Sequence, residues 1–230
     1  MRAAPVHEPL ALIRRLYDAW NAGDIATAAD LLSPDVLWES FGGTRAAGPN
    51  AMQATLAGGS GGTWQLTAVA IDLLVGVLDH VIAFSRRRGA EPERIEIWTL
   101  RDGKAVHYRG YPLDDGLAVL TATTRSRKLE AVCRAVLAFN RGDRAGWAGY
   151  FEGEGREFAE RLSGQRLDDV KVLGETFEAL VVSATYHHGE SATAPVNLVI
   201  TFGDDKARRV VVGATPEEAL TAAAHPGPAV

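Results

Sequence analysis

From Leu12 to Glu39 the apolar positions change period twice. Leu12, Leu16 and Trp20, with Ile13 and Ala19 beside them, recur at helical spacing. Asn21-Ala22-Gly23-Asp24 then interrupts the pattern. Gly23 suits a left-handed C-terminal cap, and Asp24 suits the N-cap of a second helix over 25–32, which Pro34 should stop. Val36, Trp38 and Ser40 alternate with Leu37, Glu39 and Phe41, which is the period of a strand. Beyond Gly42-Gly43 the sequence predicts a third helix over 49–56, a flexible GGSGG loop over 58–62, and strands over 64–75, 80–88, 94–100 and 105–112. Asp102-Gly103 joins the last two as a two-residue hairpin.

The pattern then restarts. Arg15-Leu16-Tyr17-Asp18-Ala19-Trp20-Asn21-Ala22-Gly23-Asp24 is answered by Arg134-Ala135-Val136-Leu137-Ala138-Phe139-Asn140-Arg141-Gly142-Asp143. Gly110-Tyr111-Pro112-Leu113 through Leu117 is answered by Gly213-Ala214-Thr215-Pro216 through Leu220. Matching starts and finishes in the same order predict an internal duplication: one unit over 8–120, a polar linker over 121–128 (from Thr121 to Lys128), and a second unit over 129–223. The second copy is degenerate. It lacks a counterpart of Pro34, its first strand is shortened or gone, and Val106 through Tyr111 are matched by Arg209 through Ala214, without the polar groups. It is expected to be a structural partner.

Strand alternation assigns faces to the last hairpin. A regular two-residue turn pairs Trp98 with His107, Ile97 with Tyr108 and Glu96 with Arg109. Ile95, Ile97, Thr99, Val106, Tyr108 and Gly110 then face the helices. Glu96, Trp98, His107 and Arg109 fall on the opposite, convex face, with Glu96 and Arg109 as a cross-strand ion pair serving packing.

Composition narrows the function classes. A formal net charge of -5 argues against nucleic-acid or anionic-membrane surfaces, and the basic runs at 86–88 and 125–128 are short. Cys133 is the single cysteine, so neither a disulfide framework nor a thiol metal cluster is expected, and its helical neighbours predict a buried small hydrophobe. His187 and His188 point to opposite faces of a strand and cannot share a metal. Asp114-Asp115 and Glu217-Glu218 open helices, where carboxylates favour the helix dipole. The N-terminus lacks a signal-peptide core and no apolar run reaches a membrane span, so a cytoplasmic protein is expected.

The helix, Asn-Ala-Gly-Asp corner, short helix and Trp-bearing strand resemble the opening of the nuclear-transport-factor-like superfamily, which includes SnoaL-like polyketide cyclases and ketosteroid isomerases. The resemblance implies an α+β fold of two tandem cone-shaped units, each with helices covering a curved antiparallel sheet. The convex face, through which such proteins commonly dimerise, would here serve an intramolecular pseudo-dimer, giving a monomer. The residues that carry isomerase chemistry in that family fall here on Leu16, Ser40 and Ile97, with Tyr17 one residue off, so that route is lost. The Asp-Arg-Asp relay of the limonene-epoxide-hydrolase branch is absent as well.

The expected site is a cavity bounded by Leu16, Trp38, Ser40, Met52, Leu56, Ile97, Thr99 and Tyr108, with Tyr17 at its mouth. Catalysis would fall to Tyr108, Ser40 and Trp38, and binding to Leu16, Tyr17, Met52, Leu56, Ile97 and Thr99. The expected activity is a SnoaL-like cofactor-independent cyclase or isomerase acting on a small, mostly apolar polyketide- or terpenoid-like molecule, with no metal and no nucleic-acid partner. The alternative is a non-catalytic small-ligand binder or accessory interaction module, favoured by the shortage of an acid or His in the expected cavity.

Overall fold

The first amphipathic stripe folds as its spacing predicts. The computed structural model describes residues 8–39, 43, 45–49, 69–87, 90–124, 126–162, 165–188, 191–203 and 206–224. The chain divides into two compact units, residues 1–118 and 119–230. In the first, α1 (Glu8–Asn21) buries Ile13, Leu16, Tyr17 and Trp20, at i, i+3, i+4 and i+7. Gly23 takes a φ of +74°, where a side chain would be strained, and Asp24 caps α2 (Ile25–Asp30) by accepting the Thr27 amide at 3.0 Å. Asn21 ties this corner to the sheet. Its Nδ2 donates to the Val69 carbonyl and its Oδ1 accepts from the Val69 amide, each at 2.8 Å.

The second helix ends earlier than Pro34 suggests, and β1 (Leu32–Glu39) begins at once. Pro34 lies exposed inside β1, in the stretch between Leu32 and Leu37 where the ladder loses register. A residue without an amide hydrogen is tolerated at such an irregularity. The remaining strands are β2 (Arg45–Ala47), β3 (Val69–Val77), β4 (His80–Arg87), β5 (Ala90–Arg101) and β6 (Lys104–Pro112). Their order in this unit is β3-β4-β5-β6-β1-β2. From β3 to β6 the sheet is the expected antiparallel meander, but β1 joins β6 in parallel, so the sheet is mixed. The β3–β4 turn falls at Leu78-Asp79, with Gly76 inside the strand. A Cβ at Gly76 would meet the Leu10 side chain at 3.3 Å, so glycine there lets α1 lie close on the sheet. Apart from Pro49, the expected helix over 49–56 and the loop over 58–62 lie outside the described residues.

The β5–β6 hairpin departs from its expected register. Asp102 and Gly103 take φ of +51° and +70°, as a type I′ turn requires, and Leu100 pairs with Ala105. The next pair is Thr99 with His107, so Val106 is an extra residue, a β-bulge. Every later pair shifts by one: Trp98 with Tyr108, Ile97 with Arg109, Glu96 with Gly110. Glu96 and Trp98 therefore share the helix-covered face with Tyr108 and Gly110. Ile97 and Thr99, expected in the cavity, lie on the opposite face with His107 and Arg109. That opposite face is apolar and buried too, at Ile95 and Ile97. Part of its cover is α3 (Leu113–Thr124), whose Gly116 leaves room for Ile95: a Cβ there would lie 2.6 Å from that side chain.

The stretch expected as a linker is mostly helical, since α3 runs through Thr124 and Ser126 caps α4 (Arg127–Asn140) by accepting the Leu129 amide at 3.0 Å. In the second unit Gly142 takes a φ of +73°, and Asp143 caps α5 (Arg144–Gly149) through the Gly146 amide at 2.8 Å. Asn140 clamps Leu167 by its amide and carbonyl, at 2.9 and 2.8 Å. Phe151 makes a single parallel bridge to Ala207, in place of a first strand, and α6 (Gly153–Arg161) follows directly. The strands β7 (Gln165–Glu175), β8 (Ala179–His188), β9 (Ser191–Gly203) and β10 (Lys206–Gly213) form an antiparallel meander. The closing helix α7 (Pro216–Ala224) covers Ala179, Val181 and Val199 with Ala219 and Ala223. No helix among the described residues is long and apolar enough to cross a membrane.

Candidate functional site

The bulge at Val106 puts a carboxylate inside the first unit. Glu96 is only 5% exposed and sits on the inner face, opposite Gly110. One of its oxygens, Oε2, accepts from the Tyr17 hydroxyl, and Oε1 accepts from the Tyr108 hydroxyl at 3.2 Å. Trp98 Nε1 donates to the Tyr17 oxygen at 2.9 Å. Indole nitrogen can only donate, so the Tyr17 oxygen accepts from it and keeps its own proton for Glu96. The expected Glu96–Arg109 pair does not form, because the two residues face opposite ways.

Four aromatic rings enclose this chain of hydrogen bonds. Trp98 meets Tyr17 edge-on at 6.1 Å and Trp38 edge-on at 5.6 Å, while Tyr108 lies 4.8 Å from Trp98 and 4.9 Å from Trp38. Gly110 is the space in which the Tyr108 phenol lies. A Cβ at that position would come 2.6 Å from the Tyr108 oxygen. Trp38 is wholly buried, and its Nε1 has no hydrogen-bond acceptor among the described residues. A buried donor without an acceptor carries a desolvation cost.

Burial raises the Tyr17 pKa well above its ordinary value of 10.0, and the nearby Glu96 and Tyr108 raise it further. Tyr17 is thus a neutral donor throughout the physiological range. A phenol whose folded value is raised contributes stability that is complete below the unfolded value and lost as pH rises through the folded one. Urea unfolding at about pH 9 and about pH 11 should show that loss, and Tyr17→Phe should make it smaller.

The sequence-predicted residues divide as follows. Trp38, Tyr108 and Tyr17 come together, and Leu16 is buried in the same core. Tyr17 sits at the centre of the cluster, and not at a mouth. Ile97 and Thr99 point to the other face, where the Thr99 oxygen lies 3.1 Å from His80 Nδ1. Ser40, Met52 and Leu56 lie outside the described residues. Glu96 and Trp98 were missed as site residues. His107 and Arg109 remain on the far face as expected. There His107 Nε2 lies 3.2 Å from Glu39, and Arg45 holds the other Glu39 oxygen at 2.7 Å. Burial lowers the His107 pKa, against the pull of Glu39. Cys133 is buried, and burial pushes its thiol up, as an inert core residue requires.

The first unit is thus an α+β domain in which α1 covers one face of a mixed sheet, α3 covers part of the other, and an acid–phenol cluster lies beneath α1. Residues 13–110 match the family model described as SnoaL-like domain. No curated protein matches the chain. Among solved structures, an NTF2-like protein of unknown function from Burkholderia xenovorans is similar at 19% identity, covering 46% of this chain and 83% of that one, with a TM-score of 0.39. TerC, co-crystallised with polyporic acid, is 22% identical over 50% of this chain and 98% of its own, with a TM-score of 0.39. A putative SnoaL-like polyketide cyclase from a Jannaschia species is 20% identical over 53% and 96%, with a TM-score of 0.39.

Proposed function

We propose that the first unit is a cofactor-independent cyclase or isomerase of the SnoaL-like kind, acting on a small, neutral, mostly apolar carbonyl compound. The observation that carries this reading is Glu96, a buried carboxylate set between two phenols on the helix-covered face. Glu96 would take a proton from the carbon beside the carbonyl. Tyr108, and the Nε1 of Trp38, which has no acceptor among the described residues, would donate to the oxygen on which charge develops. Tyr17, held by Trp98, keeps Glu96 oriented. An anionic substrate would meet an acidic group whose hydrogen bonds among the described residues come from two phenols, so neutral ligands fit better. Polyketide- or terpenoid-like substrates fit this chemistry.

The test is exchange of carbon-bound protons for deuterium, followed by NMR over a panel of small aryl and cyclic ketones. Tyr108→Phe should slow exchange of any ketone accepted by an amount equivalent to about 0.5–1.5 kcal/mol, with little change in fold stability. An unchanged rate would remove Tyr108 from the mechanism.

A non-catalytic ligand-binding or accessory module is the second reading. It is favoured by one feature: each Glu96 oxygen already has a phenol partner, as in a satisfied core network. Absence of exchange with every ketone, together with retained ligand binding, would select it.

We further propose that the chain is a tandem pair of such units and acts as a monomer. Support comes from the paired fourteen-residue helices, the capping Asp24 and Asp143, and the Asn21 and Asn140 clamps. Light scattering should return the mass of one chain, 24.6 kDa, at all concentrations. A dimer stable to dilution would contradict it.

A further inference from the structure

The two units repeat one irregularity, and it sets their strands in step. In the first, Leu100 pairs with Ala105 and Thr99 with His107, which leaves Val106 as the extra residue. In the second, Phe202 pairs with Ala207 and Thr201 with Arg209, which leaves Arg208 as the extra residue. Ala207 also meets Phe151 in parallel, as Ala105 meets Leu32. Beyond the bulges Tyr108 pairs with Trp98 and Gly110 with Glu96, while Val210 pairs with Ile200 and Val212 with Leu198. This correspondence runs one residue out of step with the alignment of Gly213 on Gly110. On the helices, Val136 stands four residues before Asn140, as Tyr17 stands four before Asn21.

The comparison separates what the frame keeps from what it gives up. Both units keep the glycine at positive φ, the capping aspartate, the asparagine clamp and the bulge. Tyr17, Glu96, Trp98 and Tyr108 are answered by Val136, Leu198, Ile200 and Val210, all aliphatic. The polar cluster is therefore not a requirement of the frame. Gly110 leaves with it, since its counterpart is Val212.

Nothing in the backbone asks for glycine at 110. Gly110 is not among the residues at positive φ, so an alanine could take its conformation. What a side chain there would meet is Tyr108. An added Cβ would lie 2.6 Å from the phenol oxygen, and 3.1 and 3.3 Å from two ring carbons. The first distance is too short for a real contact, so the hydroxyl would have to move. Glu96 sits directly opposite Gly110, and its bond from the Tyr108 hydroxyl, at 3.2 Å, is already longer than usual between two oxygens. A small displacement would break it. Tyr17 holds the other Glu96 oxygen and is fixed by Trp98 Nε1, so its bond should survive.

We propose that Gly110 is a positioning residue of the site: its missing side chain is what places the Tyr108 hydroxyl beside Glu96. A substrate carbonyl would then meet donor and base at a fixed spacing. The inference rests on the reading of Glu96 as base and Tyr108 as donor.

Gly110→Ala tests it, alone and combined with Tyr108→Phe, which removes the oxygen that the new methyl would strike. Gly110→Ala should abolish or shift the Tyr108 hydroxyl proton signal in NMR spectra and leave that of Tyr17. It should slow ketone proton exchange by about two- to tenfold, as Tyr108→Phe does. The double variant should exchange no more slowly than Tyr108→Phe alone, because both changes act on one hydroxyl. In urea titrations, Gly110→Ala should cost less stability in the Tyr108→Phe background than in the native one. A native protein that exchanges no ketone would sink the catalytic reading by itself, and the hydroxyl signal and the urea titrations would then decide the role of Gly110. The proposal is overturned if the Tyr108 signal stays in place in Gly110→Ala, if the two changes slow exchange multiplicatively, or if the stability cost is the same in both backgrounds.

Discussion

Glu96→Gln should cut ketone proton exchange by about 10²–10⁴-fold while the protein stays folded, the range expected when a positioned general base is removed. The amide is nearly isosteric with the carboxylate and can keep the cluster's bonds. Its oxygen can take the Tyr17 hydroxyl, whose direction Trp98 Nε1 fixes, and its amide nitrogen can donate to the Tyr108 oxygen. The stability cost should therefore be modest, about 1–2 kcal/mol. Glu96→Ala supplies the contrast. It leaves two buried phenols without their acceptor, at about 1–3 kcal/mol each. Rate measurements with matched urea titrations separate the two effects. Full activity in Glu96→Gln would mean that the cluster only holds the core.

Trp98→Ala should destabilise the first unit by about 3–5 kcal/mol, the usual range for truncating a buried Trp or Phe to Ala. Trp98 is wholly buried and touches Tyr17, Trp38 and Tyr108 edge-on. Its loss removes those contacts and also the donor that orients Tyr17. Trp98→Phe keeps much of the ring surface and loses the Nε1 donor, so it should cost less, with a clearer effect on Tyr17. Equilibrium unfolding of both variants reads the difference. A cost for Trp98→Ala below that of an ordinary surface change would contradict its place in the cluster.

Much of the fold was legible from local chemistry. The corner at Asn21 through Asp24 and its echo at Asn140 through Asp143 form where glycine at positive φ and a capping aspartate predict them. The hairpin turn at Asp102-Gly103 formed as well. Pro34 was misread because a proline can stop a helix or sit in a strand irregularity, and its neighbours do not decide which. The site was less legible, and one residue is responsible. Alternation presumes an unbroken ladder, and the bulge at Val106 exchanges the faces of β5 relative to β6. Apolarity gave no warning, since Ile95 and Ile97 are buried on the other face. Two signals were available. Tyr17 lies within the buried stripe with Ile13 and Trp20, so a deep phenol needed a polar partner. Gly110 leaves the gap that Tyr108 fills.

The central claim, that Glu96 faces inward between Tyr17 and Tyr108, is tested most directly by the hydroxyl protons of those two phenols. Buried and hydrogen-bonded to a carboxylate, both should give slowly exchanging, low-field proton NMR signals, assigned by their loss in Tyr17→Phe and Tyr108→Phe. Both signals should move upfield in Glu96→Gln. Signals that are absent in the native protein, or that Glu96→Gln leaves in place, would put Glu96 outside the cluster and contradict the account.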